Sequence, residues 1–405
     1  MLTLRRPRVL ALGVLGLVIA GLSVLTVGAP AHADGPGVGT PWVVSVGDSY
    51  ISGEAGRWAG NSNASESYVD ALGATAYYDN ATNTGEQITR CHRSKAAEVY
   101  IGGGVNSLNL ACSGAKTSTF TDSSGNFKPG LDFYNSGGNQ GQALMLQSFA
   151  ASHNVKMVAV SIGGNDFNFA SIVQSCVTDF LTSPTWWKNY CNDDNSVTSN
   201  FTAANVAAVR ARIATAYQNI RTAMRNAGYA DNAWTLMVQN YESPIPNGSA
   251  FRYSESGYTR QNTGGCGFWN NDANWANGTA LPTIDNAVFG AATDSGLGNV
   301  RTLNLAGAFN GHRLCENTDN LVEANYSSWR ATGAVDKSEW IDQIRTVSTA
   351  NSDYYIQESL HPNYWGELAV RSCLRQAWNG GAPRSGTCTT SGTGLLNGEP
   401  RMALN

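Results

Sequence analysis

Residues 42–56 read "WVVSVGDSYISGEAG". The apolar, β-branched run from Trp42 to Val46 has the pattern of a strand buried on both faces. It halts at Gly47-Asp48-Ser49, a small polar trio at the point where such a strand leaves its sheet. Open parallel sheets bind ligands outside the carboxyl ends of their strands, so Ser49 stands where a nucleophile would. Read alone, the trio serves equally well as a tight turn that caps the next helix.

Four more bursts share the pattern: "SLNLA" from Ser107, "KMVAVSI" from Lys156, "WTLMVQ" from Trp234 and "VRTLNL" from Val300. Helical periodicity lies between them. It is clearest from Phe201 to Gly228, where Val206, Val209, Ile213, Tyr217, Ile220 and Met224 recur every three or four residues. Further helices are expected at 141–152, 281–292, 337–349 and 364–378. Strands alternating with helices predict an α/β protein with a central parallel sheet between two helical layers. The loops at 52–90, 241–277 and 311–357 are long and rich in Gly, Asn, Ser and Thr, the kind that carries function on such a scaffold.

The N-terminus reads differently. Arg5, Arg6 and Arg8 precede an apolar run from Val9 to Val27, and Ala31-His32-Ala33 follows. That is the order of a secretory signal peptide. Residues 1–33 are therefore expected to be removed on export, leaving one large domain over 34–378 and a Gly/Thr/Ser-rich tail over 379–405 packed on it. The leader holds three arginines and no acid, so its loss moves the formal net charge from −4 to −7. An acidic chain without basic runs lacks the electrostatic footprint of a nucleic-acid binder.

All eight cysteines, Cys91, Cys112, Cys176, Cys191, Cys266, Cys315, Cys373 and Cys388, lie beyond the leader. An even count in an exported chain reads as a disulfide set. Bridging neighbours in order is the simplest of many pairings, each bridge closing a local loop. The chain has no C-x-x-C and no metal-binding histidine spacing, so neither metal nor cofactor is expected.

Two other strands end as suggestively as the first. One delivers Cys112-Ser113-Gly114 and another Ile162-Gly163-Gly164-Asn165-Asp166, while "ESLHPNYWGELAV" sets His361-Pro362 just before a helix. A serine hydroxyl needs a neighbouring base to attack a carbonyl. Beyond the leader the histidines are His92, His153, His312 and His361. His153 falls at a helix end and His92 beside Cys91, where structural roles suffice. Pro362 fixes the chain next to His361. Gly163-Gly164 turns the backbone tightly and frees the Asn165 amide to point outward. Each feature alone is an ordinary loop residue.

Their order is not ordinary. Gly47-Asp48-Ser49, Gly114 within "NLACSGA", Gly163-Gly164-Asn165-Asp166 and His361-Pro362 resemble, in sequence, the four blocks of the SGNH/GDSL hydrolase family. The resemblance covers about 42–378, with Tyr50 where the family name has leucine. It implies a three-layer, flavodoxin-like α/β/α fold and hydrolysis of carboxylic esters. It makes Ser49 the nucleophile and His361 its general base. It assigns the oxyanion to the N–H groups of Ser49 and Gly114 and the Asn165 amide, helped by the positive end of a helix opening at Ser49. The family places an aspartate three residues before the histidine, and here that residue is Glu358. Either Glu358 completes a triad, or a main-chain carbonyl near Ser359 orients the imidazole and the site is a dyad.

The form "GDSYISGEAGRW" further resembles secreted actinobacterial members of that family, which include lipases and phospholipases of the A and B types. That resemblance implies acyl esters of lipids as substrates, most of all those of a phospholipase, lysophospholipase or lipase. A monomer touching lipid aggregates only transiently is expected, with no nucleic-acid partner. The loops hold Trp58, Tyr77, Tyr78, Trp186, Trp187, Phe268, Trp269, Trp275, Trp329 and Trp340. Such rings can line an acyl-chain groove or touch a lipid surface, and most are expected to fill the core beneath the loops. The competing readings are a carbohydrate acetyl esterase of the same fold and, in another class, an inactive surface- or sugar-binding module.

Overall fold

The run at Trp42 is a strand in the middle of a sheet. The structure, a computed structural model, describes residues 36–345 and 356–405, and the expected leader lies outside them. Strand β1 (Pro41–Gly47) pairs in parallel with β2 (Asn106–Asn109) on one side and β3 (Asn154–Ser161) on the other. Strands β4 (Thr235–Gln239), β5 (Val300–Asn304), β6 (Gly386–Leu396) and β7 (Glu399–Leu404) extend the sheet beyond β3, in the order β7-β6-β5-β4-β3-β1-β2. Every neighbouring pair is parallel except β6–β7. The chain leaves β1 for one edge and returns on the other side at β3. The winding therefore reverses between β1 and β3, which is where sheets of this order bind ligands.

Alternate residues of each strand serve two cores. Val44, Val46, Val158, Val160, Leu236 and Val238 meet helices α2 (Gln142–Ala150), α4 (Ala203–Asn226) and α5 (Leu281–Asp294). Val43, Met157, Ala159, Met237 and Leu303 meet α3 (Phe169–Thr182) and α6 (Tyr364–Trp378). This is the three-layer α/β/α arrangement that the alternation predicts. Each such side chain gains roughly 1.5–3 kcal/mol by full burial. Among the buried polar groups, Ser45 Oγ donates to Asn109 Oδ1 at 3.1 Å, tying β1 to β2. Among the described residues no helix is long and apolar enough to cross a membrane.

Three elements depart from expectation. Residues 337–345 form no helix, because their polar groups bond elsewhere: Asn61 Nδ2 donates to Ile341 O at 2.7 Å and accepts Gln343 N on Oδ1 at 2.9 Å. Residues 346–349 of that expected helix lie outside the described residues. The Gly/Thr/Ser-rich end is a hairpin whose strand β6 joins β5 at Gly386 and Thr387. Helix α1 (Ser49–Ser52) is a single turn, stopped by Gly53 at φ +90°. Among the loop aromatics, Trp58, Tyr77, Phe268, Trp269 and Trp340 are buried, whereas Trp186 and Trp187 are 83% and 74% exposed.

The cysteines bridge in chain order: Cys91–Cys112, Cys176–Cys191, Cys266–Cys315 and Cys373–Cys388, with separations of 21, 15, 49 and 15 residues. The first closes the turn that presents Gly114, and the last ties α6 to β6. Chain entropy in the unfolded state rises with the loop closed. Replacing the Cys266–Cys315 pair by serines is therefore expected to destabilise by about 4 kcal/mol, against about 3 kcal/mol for Cys176–Cys191 or Cys373–Cys388. Urea unfolding without reductant checks the ranking.

Candidate active site

The site begins with a backbone contact. Gly47 pairs with Ser161 as the last residue of β1, and a Cβ there would lie 1.9 Å from Ser161 O. With φ +137°, the position admits only glycine. Gln142, fully buried on α2, grips this residue from the other side. Its Oε1 accepts the Gly47 N–H at 2.6 Å and its Nε2 donates to Gly47 O at 2.8 Å. Asp48 then donates its N–H to Ser161 O at 2.9 Å and caps α1 by accepting from Tyr50 N at 3.2 Å. The Ser49 side chain is held at the sheet's switch point.

His361 reaches it from the far end of the chain. Its Nε2 lies 2.7 Å from Ser49 Oγ, and its Nδ1 lies 3.0 Å from Ser359 O. A carbonyl only accepts, so Nδ1 carries the proton. Nε2 then presents its lone pair to the Ser49 hydroxyl. The ring is half-buried, and loss of water pushes its pKa below the ordinary 6.5, against the pull of the Glu54 carboxylate. Both ring nitrogens are engaged, and Nε2 is aimed at Ser49.

Glu358, buried three residues before His361, turns elsewhere. Its Oε2 accepts from Trp58 Nε1 at 2.8 Å, and its Oε1 accepts from the Tyr77 hydroxyl. The imidazole N–H goes to the neighbouring main chain instead. Of the two acceptors open in the sequence, the Ser359 carbonyl lies 3.0 Å from Nδ1, while the Glu358 oxygens face Trp58 and Tyr77.

The other blocks converge on the same place. Ser49 and Asn165 border one cleft with Phe169, Pro244, Leu281 and Ile284. Asn165 donates one amide hydrogen to Ala115 O at 3.0 Å, beside Gly114, which leaves its second amide hydrogen available. Asp166 binds Thr117 through both N (3.0 Å) and Oγ1 (2.7 Å), fastening the glycine loop to the asparagine loop. Gly114 has φ +77°, and neither its N–H nor that of Ser49 has an acceptor among the described residues. Because α1 is one turn long, any favourable field comes from these N–H groups rather than from a long helix dipole. The cleft runs on, past the shared Phe169, Pro244, Leu281 and Ile284, into an apolar cavity lined by Ile172, Val173, Phe268, Trp275 and Leu360. Among the described residues no group of three or more His, Cys, Asp or Glu side chains is placed to hold a metal ion.

Several contributors gave no signal in the sequence. Tyr241 donates to Asp48 Oδ2 at 2.5 Å and accepts from Gly164 N at 2.9 Å, joining two of the loops. Asp48 itself is pushed up to about 7 by burial, against that hydrogen bond. Behind the His361 segment, buried Glu54 meets His92 Nδ1 at 2.6 Å and accepts from Gln357 Nε2 at 3.1 Å. Burial opposes the Glu54 charge, but the imidazolium of His92 outweighs it and holds the carboxyl at about 2. Burial likewise opposes the charge of His92, and Glu54 and Glu86 raise it above the ordinary value. Buried charged pairs are invisible to sequence spacing when their members lie 38 residues apart.

No protein-family model matches the chain, and neither does any curated protein sequence. Solved structures similar to it include two from Streptomyces. The extracellular lipase from Streptomyces rimosus is 18% identical with a TM-score of 0.40, and the match covers 81% of this chain and 95% of that one. Phospholipase A1 from Streptomyces albidoflavus NA297 is 19% identical with a TM-score of 0.41, over the same shares of the two chains.

The Glu54–His92 pair makes a stability prediction. Glu54 is depressed, so its contribution is present above about pH 4.5 and fades as pH falls toward about 2. His92 is raised, so its contribution is complete below 6.5 and fades at higher pH. Between these limits His92→Ala strands a buried carboxylate and is expected to cost about 3–5 kcal/mol. Denaturant unfolding of both proteins at pH 5.5 and pH 9 should show the gap narrowing at the higher pH.

Proposed function

We propose that the protein is a serine hydrolase of carboxylic esters, of the SGNH/GDSL type that its four blocks resemble, acting on acyl esters of lipids. The observation that carries this reading is the 2.7 Å contact between Ser49 Oγ and His361 Nε2, with Nδ1 held by Ser359 O. As Ser49 Oγ attacks the acyl carbonyl, its proton passes to Nε2. The developing oxyanion takes hydrogen bonds from Ser49 N–H, Gly114 N–H and the spare Asn165 amide hydrogen. Collapse of the tetrahedral adduct breaks the ester C–O bond, and the imidazolium returns the proton to the leaving alcohol. Water then attacks the acyl-Ser49 ester by the same route, with His361 again the base. No metal or cofactor enters the scheme. The Ser359 carbonyl fixes the imidazole, and Glu358 holds the loop to Trp58 and Tyr77.

The acyl-lipid choice is supported by the apolar cavity that opens from the Ser49 cleft. Side chains such as Phe169, Leu281, Ile172 and Trp275 offer an alkyl chain a dry surface and offer an acetyl group or a sugar almost no hydrogen bonds. In this reading export follows from the expected leader, and the tail, the monomeric state and the brief contact with lipid aggregates stand as proposed in the sequence.

Two variants and a substrate comparison test the chemistry. Ser49→Ala is expected to lower turnover about 10⁴-fold or more and to abolish fluorophosphonate labelling. Fatty-acid release from phospholipid and triglyceride should exceed acetate release from acetylated xylan, and acetate release alone would transfer the assignment to a carbohydrate esterase. Glu358→Gln disturbs two buried hydrogen bonds but leaves the Ser359 contact, so turnover is expected to fall less than about tenfold. A fall near 10⁴-fold, as when a carboxylate orients the imidazole, would restore the triad.

The pH profile gives an independent check. His361 must be neutral to accept the proton, so kcat/KM falls as pH drops through its pKa. Since burial lowers that pKa, the acidic limb should have its midpoint below 6.5. A midpoint above 6.5 contradicts the site electrostatics described.

A further inference from the structure

Tyr50 follows Ser49 in the chain, and its hydroxyl donates to Leu360 O at 2.8 Å. Leu360 precedes His361. One phenol thus connects the two neighbours of the reacting pair across 310 residues.

Leu360 is where such a connection matters. Its φ is +63°, a left-handed conformation that a branched side chain keeps only where its surroundings impose it. Two hydrogen bonds impose it here. The Leu360 N–H donates to Asp342 O at 3.1 Å, and its carbonyl accepts from Tyr50. Asp342 N returns a bond to His361 O at 2.9 Å, closing the loop on itself. The Leu360 side chain is 2% exposed and sits in the core, so the residue cannot relax outward. The Tyr50 ring is equally confined. It stands edge-on to Phe169 and Tyr241 at centroid distances of 6.1 and 5.3 Å, and 5.1 Å from the His361 ring. Ser359 O sets how the imidazole is turned, and the Leu360 backbone sets where it stands.

We propose that Tyr50 is a positioning residue: its hydroxyl holds Leu360 in the left-handed conformation that places the His361 imidazole against Ser49. Tyr50 borders the Ser49 cleft, but its hydroxyl is taken up by Leu360 O and acts on the reacting pair through that residue. Without it, a buried carbonyl loses its donor, Leu360 moves toward the common backbone region, and Nε2 shifts from Oγ. A misplacement of about 1 Å is enough to cost on the order of 10²-fold in rate. The kinetic readout rests on the ester-hydrolase reading, while the positioning itself does not.

The test compares Tyr50→Phe, His361→Ala and the double variant, each assayed well below its melting temperature. Rates are normalised to folded protein by circular dichroism. Tyr50→Phe keeps the ring and removes the hydroxyl. It is expected to lose about tenfold in kcat, with KM changed by less than about twofold. In the His361→Ala background the same change should have no further effect, because nothing remains to be positioned. Wild-type kcat in Tyr50→Phe, or the same loss in both backgrounds, overturns the proposal. Proton NMR gives a readout that needs no activity. The His361 Nδ1 proton, bound to Ser359 O in the wild type, should exchange with solvent faster in Tyr50→Phe, and unchanged exchange overturns the proposal whether or not the protein cleaves esters. Absent hydrolysis and labelling in the wild type, with faster exchange in the variant, would remove the ester-hydrolase reading and leave Tyr50 as the clamp.

Discussion

The closeness of β1 and β3 at their last residues governs the site. Two parallel strands stay paired to Gly47 and Ser161, so two loops leave the sheet side by side. Only a residue without a Cβ fits against Ser161 O, and only a buried amide such as Gln142 satisfies both peptide groups of Gly47 at once. Ser49 and Asn165 become neighbours because their strands are neighbours. The functional groups inherit the precision of the sheet, although they sit on the loops and single turns that follow its strands.

The second organising feature is electrostatic. Asp48, Glu54, Glu242, Asp342 and Glu358 are all buried around the dyad. Burial raises Asp48 to about 7 and drives Glu242 and Asp342 well above the carboxylate range. Glu54 faces the His92 cation and is held low, while Arg345 acts on Asp342 against its burial. The His361 ring answers to desolvation and a backbone carbonyl, against the pull of Glu54. A carboxylate in direct contact would have raised its pKa, so the dyad geometry and the lowered pKa belong together.

Legibility in the sequence followed the range of the interaction. All five strands with apolar runs and the strongly periodic helices were readable because one residue's burial is decided by its own face of the element. The Ser49, Gly114, Asn165 and His361 blocks were readable as an ordered set. What escaped depended on partners 38 to 310 residues away: the Tyr50–Leu360 bond, the Glu54–His92 pair and the grip of Gln142 on Gly47. The surroundings of Glu358 were hidden for the same reason, since its spacing fits a triad while Trp58 and Tyr77, about 300 residues away, donate to its oxygens. The terminal hairpin is a different failure. Asn397-Gly398, with φ +55° and +84°, is a strong two-residue hairpin signal that was hidden by the small polar residues around it.

The separation of 312 residues between Ser49 and His361 carries a consequence for how the molecule matures. Contacts so distant pay their loop-closure entropy before they return any energy, and they form after local structure. During synthesis the N-terminal strands emerge first, so β1, β3 and the oxyanion loops can assemble while the histidine segment is still being made. A chain in that condition is a folded scaffold without a base. The Ser49–His361 contact arrives only with the last quarter of the polypeptide, which makes it a built-in signature that the two ends of the domain have met.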